Sequence, residues 1–356
     1  MPKNLAALAL LALASASALA APPRYRIVDL GVVGSATASQ AFGVSRDGTT
    51  VVGRDLGPGS NPAYAWTAAT GSVALPNLPG RSYAQANGVN DAGMVVGTST
   101  TTVFGSGALP VKWVGGVVTQ FTLPKGQSVG RATAVNAAGV AVGSIGADVA
   151  ERAAIFDGAT TRVITATTAN GSFMSYADAV NDAGLVVGSG IDPDNAALNV
   201  GLVYDTTTGT LASVGALPGD NGALAFGVSN AGHVVGASMV YQGAGRPFVW
   251  TAAGGMVEIP LPPKTSEGSA YAVNDRGWVV GNGGGLYSVP FLYARGRTYP
   301  LQALLPAGSG WDLKTNTSSS AMGITDGGTI VGTGVHDGQT HGYAMILVRA
   351  NEAGAP

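Results

Sequence analysis

The residues able to do chemistry are few: three histidines, four glutamates and no cysteine in 356 residues. Without cysteine there is no disulfide, no thiolate metal site and no sulfur nucleophile. His336 and His341 stand five apart with Asp337 between them. In one loop such a trio could offer two imidazoles and a carboxylate to a weakly held metal, but the spacing matches no established ligand pattern, so neither a metal nor a cofactor is expected. His233 fills a column that holds Met94, Leu185 or Trp278 elsewhere, which makes it structural. Glu151, Glu258, Glu267 and Glu352 follow no pattern. No Gly-x-Ser-x-Gly elbow occurs, and "GNGGG" (281–285) lacks the helix a phosphate loop needs. Glycoside cleavage requires two converging carboxylates, for which only loops such as "IDPDN" (191–195), with Asp192 and Asp194, are candidates. Catalytic residues are therefore unassigned, and a non-enzyme is the expectation.

The elements that would position any site are clearer. A segment like "AVNDAGLVVG" (179–188) recurs seven times, its final glycine falling at 53, 97, 143, 188, 236, 281 and 332. Each copy reads as two short strands around a turn. Asn90, Asn136, Asn181 and Asn274 are expected to fold their amides onto the backbone two residues on, with Ser45, Ser229 and Thr325 as weaker substitutes. The glycine that follows supplies a positive φ. Copy one carries an extra residue, so its turn should differ. Asp91, Asp182, Asp275 and Asp326 invite a calcium reading, yet single carboxylates in short hairpins fall short of six to eight oxygens.

The strand before each turn alternates small residues, as in Ala132-Thr133-Ala134-Val135, which suits a crowded inner strand. A third strand carries Trp66, Trp113, Phe156, Tyr204, Trp250, Tyr293 or Met345 in one column, read as packing between repeats. A fourth segment tends to end in Leu-Pro. A period of 44 to 51 residues fits a four-stranded propeller blade. The last copy lacks its fourth strand, while one orphan strand, 25–30, precedes the first. The fold expected is all-β: a seven-bladed β-propeller of four-stranded blades, its ring closed by the N-terminal strand completing the last blade. A single domain should span 21–349, after a signal peptide at 1–20 and before a polar tail at 350–356. A parallel β-solenoid is the competing fold.

The repeat resembles that of the HAF-repeat family of predicted extracellular bacterial proteins, which pairs an Ile/Val-Asn-x-x-Gly-x-Val-Val-Gly hairpin with a His-Ala-Phe-like third strand. The resemblance spans the chain from the first hairpin to "LLPAGSGW" (304–311) and "DGQTHGYAMIL" (337–347). At the namesake motif His341-Gly342-Tyr343 keeps the histidine, whereas Arg246-Pro247-Phe248 and Val289-Pro290-Phe291 keep the aromatic alone. The resemblance implies an extracellular location and no particular activity.

Residues 1–20 have the order of a secretory signal: Lys3, an apolar run and a final Ala18-Leu19-Ala20. The chain is thus expected to be secreted, extracellular or periplasmic, and monomeric, with no membrane-spanning segment after cleavage. A net charge of −2 with 11% charged residues lacks the basic footprint of nucleic-acid binding. All length variation falls in the second-to-third-strand loops and the blade crossings, which share one face, and recognition tends to reside on such loops. The expected partner is an extracellular glycan or protein, bound through Arg81, Tyr83, Arg131, Phe173, Tyr176, Trp311 and Lys314. A polysaccharide hydrolase or lyase with loop-borne carboxylates and a structural envelope protein without ligand are the alternatives.

Overall fold

The structure is a computed structural model that describes residues 21–102, 105, 107–146, 151–158 and 160–348. The expected signal peptide and polar tail lie outside the described residues. Six four-stranded antiparallel sheets follow one another along the chain, and a seventh joins the two ends. In the first blade the strands are Ala38–Val44, Thr50–Leu56, Ala63–Thr67 and Gly71–Ala74, in sequence order from inner to outer edge. The seventh takes Ser320–Ile324, Ile330–His336 and Gln339–Leu347 from the end of the chain and Tyr25–Asp29 from its start. The protein is a seven-bladed β-propeller closed by its N-terminal strand, as the repeat count and the orphan strand require. That strand runs antiparallel to the last, from Tyr25 opposite Leu347 to Asp29 opposite Tyr343, and Leu30 adds one more bond to the Gly342 carbonyl.

Most of the core lies between blades. Val52 and Ala63 of the first blade meet Ala84, Ala86, Val95 and Trp113 of the second, and the same arrangement recurs around the ring. Trp113, Phe156, Tyr204 and Met345 of the large-residue column are buried, and Trp66, Trp250 and Tyr293 pack half-buried against neighbouring clusters. Trp113 also places its indole N–H on the Pro76 carbonyl, 2.8 Å away.

The recurrent final glycine has a steric cause. At Gly53, Gly97, Gly143, Gly188, Gly236, Gly281 and Gly332 a Cβ would stand 1.8–2.1 Å from a carbonyl oxygen of the paired inner strand. The turn glycines serve differently: from Gly48 to Gly328 each holds φ between 71° and 89°.

Candidate functional site

Every inner strand carries a β-bulge at the same repeat position. The register slips between Ala41 and Gly43, Ala86 and Gly88, Ala132 and Ala134, Ala177 and Ala179, Ala225 and Gly227, Ala270 and Ala272, and Ala321 and Gly323. A bulge leaves one residue unpaired and re-aims its side chain. The seven residues so released, Phe42, Asn87, Thr133, Asp178, Phe226, Tyr271 and Met322, all line the central channel. Small residues follow them because neighbouring inner strands crowd together: a Cβ on Gly43 would lie 2.6 Å from the Asn87 carbonyl, and one on Gly227 equally close to that of Tyr271.

The channel wall is divided. Phe226 and Tyr271 pack ring against ring at 5.4 Å, with Met322 and Phe42 in the blades that follow. Across the second to fourth blades the wall is polar. Asn87 donates to the Ala132 carbonyl at 2.8 Å and Thr133 to that of Ala177 at 2.6 Å, each reaching the next blade beside its bulge. Asp178 continues the column as a half-buried carboxyl. Desolvation raises its pKa to about 7, with the Arg131 charge drawing it partly back.

One end of the channel is closed by the turns. Arg46, in the longer first turn, extends to Asp182 at 3.0 Å, to Asp326 at 2.8 Å and to Asp275. The second oxygens of these carboxylates accept backbone N–H groups from the preceding blades, of Ala137, Asp275 and Ala231 respectively. The acidic turn residues therefore cap backbone N–H groups, and three of them also hold one arginine. The turn amides also differ from expectation. Asn90, Asn136 and Asn181 accept from the N–H four residues on, and only Asn274 adds the bond two on. Their Nδ2 groups donate to the next blade's turn carbonyl.

The opposite, loop-rich end is open. A cleft of about 400 Å³ runs over the second blade into the channel, lined by Arg54, Asn61, Tyr83, Gln85, Asn87, Arg131 and Thr133 among others. Arg54 is steadied by the Gln40 side chain at 2.9 Å and lies over the Phe42 ring. At the rim, Arg131 pairs with the buried Glu151 at 3.3 Å, and Ser144 donates to the same oxygen at 2.5 Å. Tyr176 is 40% exposed and lies beneath the Arg131 guanidinium, beside Glu151. Its hydroxyl pKa is raised, first by desolvation and then by Glu151.

Of the residues singled out from sequence, Tyr83 and Arg131 line this cleft, and Tyr176 packs at its rim. Phe173 lies 3.9 Å beneath the Arg152 guanidinium in the adjoining blades. Arg81 serves the scaffold, donating to the Ser99 and Gly107 carbonyls. Trp311 is corrected outright: it is 6% exposed, stacked on His336 and edge-on to Tyr343 inside the last blade. Lys314 is exposed in that blade's crossing. Sequence reading missed the bulged column, although it is the one variable position in the most uniform stretch of the repeat. The loop trio also changes membership, since Asp29 joins His336 and His341 while Asp337 stays exposed.

No family model and no curated protein matches the chain. Among solved structures it is similar to a streptogramin B lyase, at 13% identity over 91% of this chain and 98% of that one, with TM-score 0.54. An oligogalacturonate lyase from Vibrio parahaemolyticus matches at 12% identity over 92% and 94% of the two chains, TM-score 0.56. An oligogalacturonate lyase in complex with manganese matches at 12% identity over 92% and 99%, also with TM-score 0.56. At these identities the likeness is one of fold. Among the described residues no helix is long and apolar enough to cross a membrane.

Proposed function

We propose that the chain is an extracytoplasmic binding module that takes an acidic glycan at its loop-rich face, over the second and third blades. The carrying observation is that two arginines, Arg54 and Arg131, line one cleft whose other described residues bring amides, hydroxyls and a tyrosine, with Glu151 at the rim paired to Arg131. Planar guanidinium forks match carboxylates, and Asn61, Gln85 and Asn87 suit sugar hydroxyls. Below them Phe42, Phe226, Tyr271 and Met322 offer apolar surface to a ring face. The signal-like order of residues 1–20 and the resemblance to the HAF-repeat family support the location.

The test is calorimetric titration of the mature protein with uronate-containing and neutral oligosaccharides of equal length. Acidic chains should bind, and Arg54→Ala or Arg131→Ala should weaken them at least tenfold while melting cooperatively. Equal binding of neutral chains, or no binding, would refute the proposal. A second reading, cleavage of such a polymer, is favoured by Asp178, whose pKa near neutrality suits proton transfer in the channel. It requires product formation that Asp178→Asn abolishes.

A further inference from the structure

We propose that the seam where the ring closes is a binding site for one zinc-class divalent metal ion, held by Asp29, His336 and His341. Asp29 ends the closing strand, His336 ends the second strand of the last blade, and His341 stands early in its third. Two of the chain's three histidines thus converge on the one acidic residue of the closing strand. Both Nδ1 atoms lie 2.8 Å from Asp29 Oδ2, and the three candidate ligand atoms all fall within 4.8 Å of one another. Tetrahedral ligands about 2.0–2.1 Å from zinc stand roughly 3.3 Å apart, so each contact needs to open by about half an ångström. Two imidazoles and a carboxylate suit zinc, copper or nickel, and nitrogen ligands disfavour calcium and magnesium.

The surroundings argue the same way. His336 is fixed by stacking on Trp311 at 4.7 Å, with the planes 5° apart. With both Nδ1–H groups donated to Asp29, the Nε2 of His341 is buried without a partner, as is Oδ1 of the fully buried Asp55 nearby. A metal on Nδ1 moves the proton to Nε2 and turns it into a donor, in the manner of imidazole ligands whose second nitrogen bonds an outer carboxylate or carbonyl. Such an ion would tie the first strand to the last two, so binding would be coupled to ring closure. The three protein ligands leave a fourth position for water on the half-exposed His336 side.

The experiment uses untagged mature protein freed of metal by chelator and dialysis. Zn²⁺ calorimetry should give one ion per chain, and Co²⁺ should develop the visible absorption of a low-coordinate site. Saturating Zn²⁺ should raise the melting temperature, and His336→Gln, whose side chain is partly exposed, should weaken binding at least tenfold while its metal-free melting stays within a few degrees of wild type. Asp29→Asn should lose both the Co²⁺ spectrum and the Zn²⁺ stabilisation. No stoichiometric binding, or a Co²⁺ spectrum and affinity unchanged in His336→Gln and Asp29→Asn, would overturn the site and leave a plain His–Asp–His hydrogen-bond cluster.

Discussion

Asp29 stands opposite Tyr343 across an antiparallel pair, so the first described strand of the chain and the last are neighbours in one sheet. Five residues of pairing remove the open edge that seven stacked hairpins would otherwise leave. Deleting residues 21–29 should cause a large, cooperative drop in melting temperature and promote self-association through the freed edge, read by calorimetry and size-exclusion chromatography. Melting close to that of the intact protein would contradict closure by this strand. Tyr25→Ala, at a residue 1% exposed, should cost about 3 kcal/mol by itself.

Glycines of the two kinds should separate on substitution. In Gly188→Ala the new methyl meets the Tyr176 carbonyl 1.9 Å away, so a loss of about 3 kcal/mol or more is expected. In Gly93→Ala nothing lies within 4 Å, and only the φ of +77° is strained, at about 1 kcal/mol. Chemical denaturation of both variants checks the order.

The large-residue column should be graded by burial. Trp113→Ala removes a buried ring that fills the seam between two blades and should cost about 3–5 kcal/mol. Trp66→Ala, at a half-buried position, should cost less. Equal losses in denaturant midpoint would show that the column does not act through inter-blade packing.

Asp178 has a pH signature with a definite sign. Its folded pKa of about 7 lies above the ordinary carboxyl value, so the native state holds the proton more tightly than the unfolded chain. Its stability contribution is complete below about pH 4 and is lost as pH rises through about 7. Asp55, raised to about 6 by burial, acts in the same direction. Asp178→Asn should flatten the fall in stability between pH 4 and 7, leaving the smaller slope due to Asp55. A slope unchanged by the substitution would place the titrating group elsewhere.

Arg46 should matter modestly and in a salt-dependent way. Its side chain is 42% exposed, which screens each of the three ion pairs, and removing it leaves three carboxylates facing one another. Arg46→Ala should cost about 1 kcal/mol or less, with the gap to wild type narrowing in molar salt. Melting scans at low and high salt decide the point.

Parts of the site were legible in the residues. Tyr83 and Arg131, expected on the variable loops, stand instead at the starts of two inner strands, and both line one cleft. Trp311, expected on the longest crossing, is buried, because that crossing folds back on the last blade and pairs with its second strand. Phe42, Asn87, Thr133, Asp178, Phe226, Tyr271 and Met322 escaped because strict alternation assigns a side chain to one sheet face, and a bulge is what turns it toward the channel instead.

The sequence by itself determined the architecture. Hairpin, turn glycine, small inner strand and large third-strand residue are local signals, and seven repetitions of them admit few folds; the missing last strand and the orphan first one then imply a ring. Tertiary structure alone decided which distant groups meet. Asp29 lies 307 residues before His336, and Arg46 lies 229 before Asp275, yet closure places each pair in contact. No periodicity encodes such meetings, because they depend on the curvature summed over all seven blades.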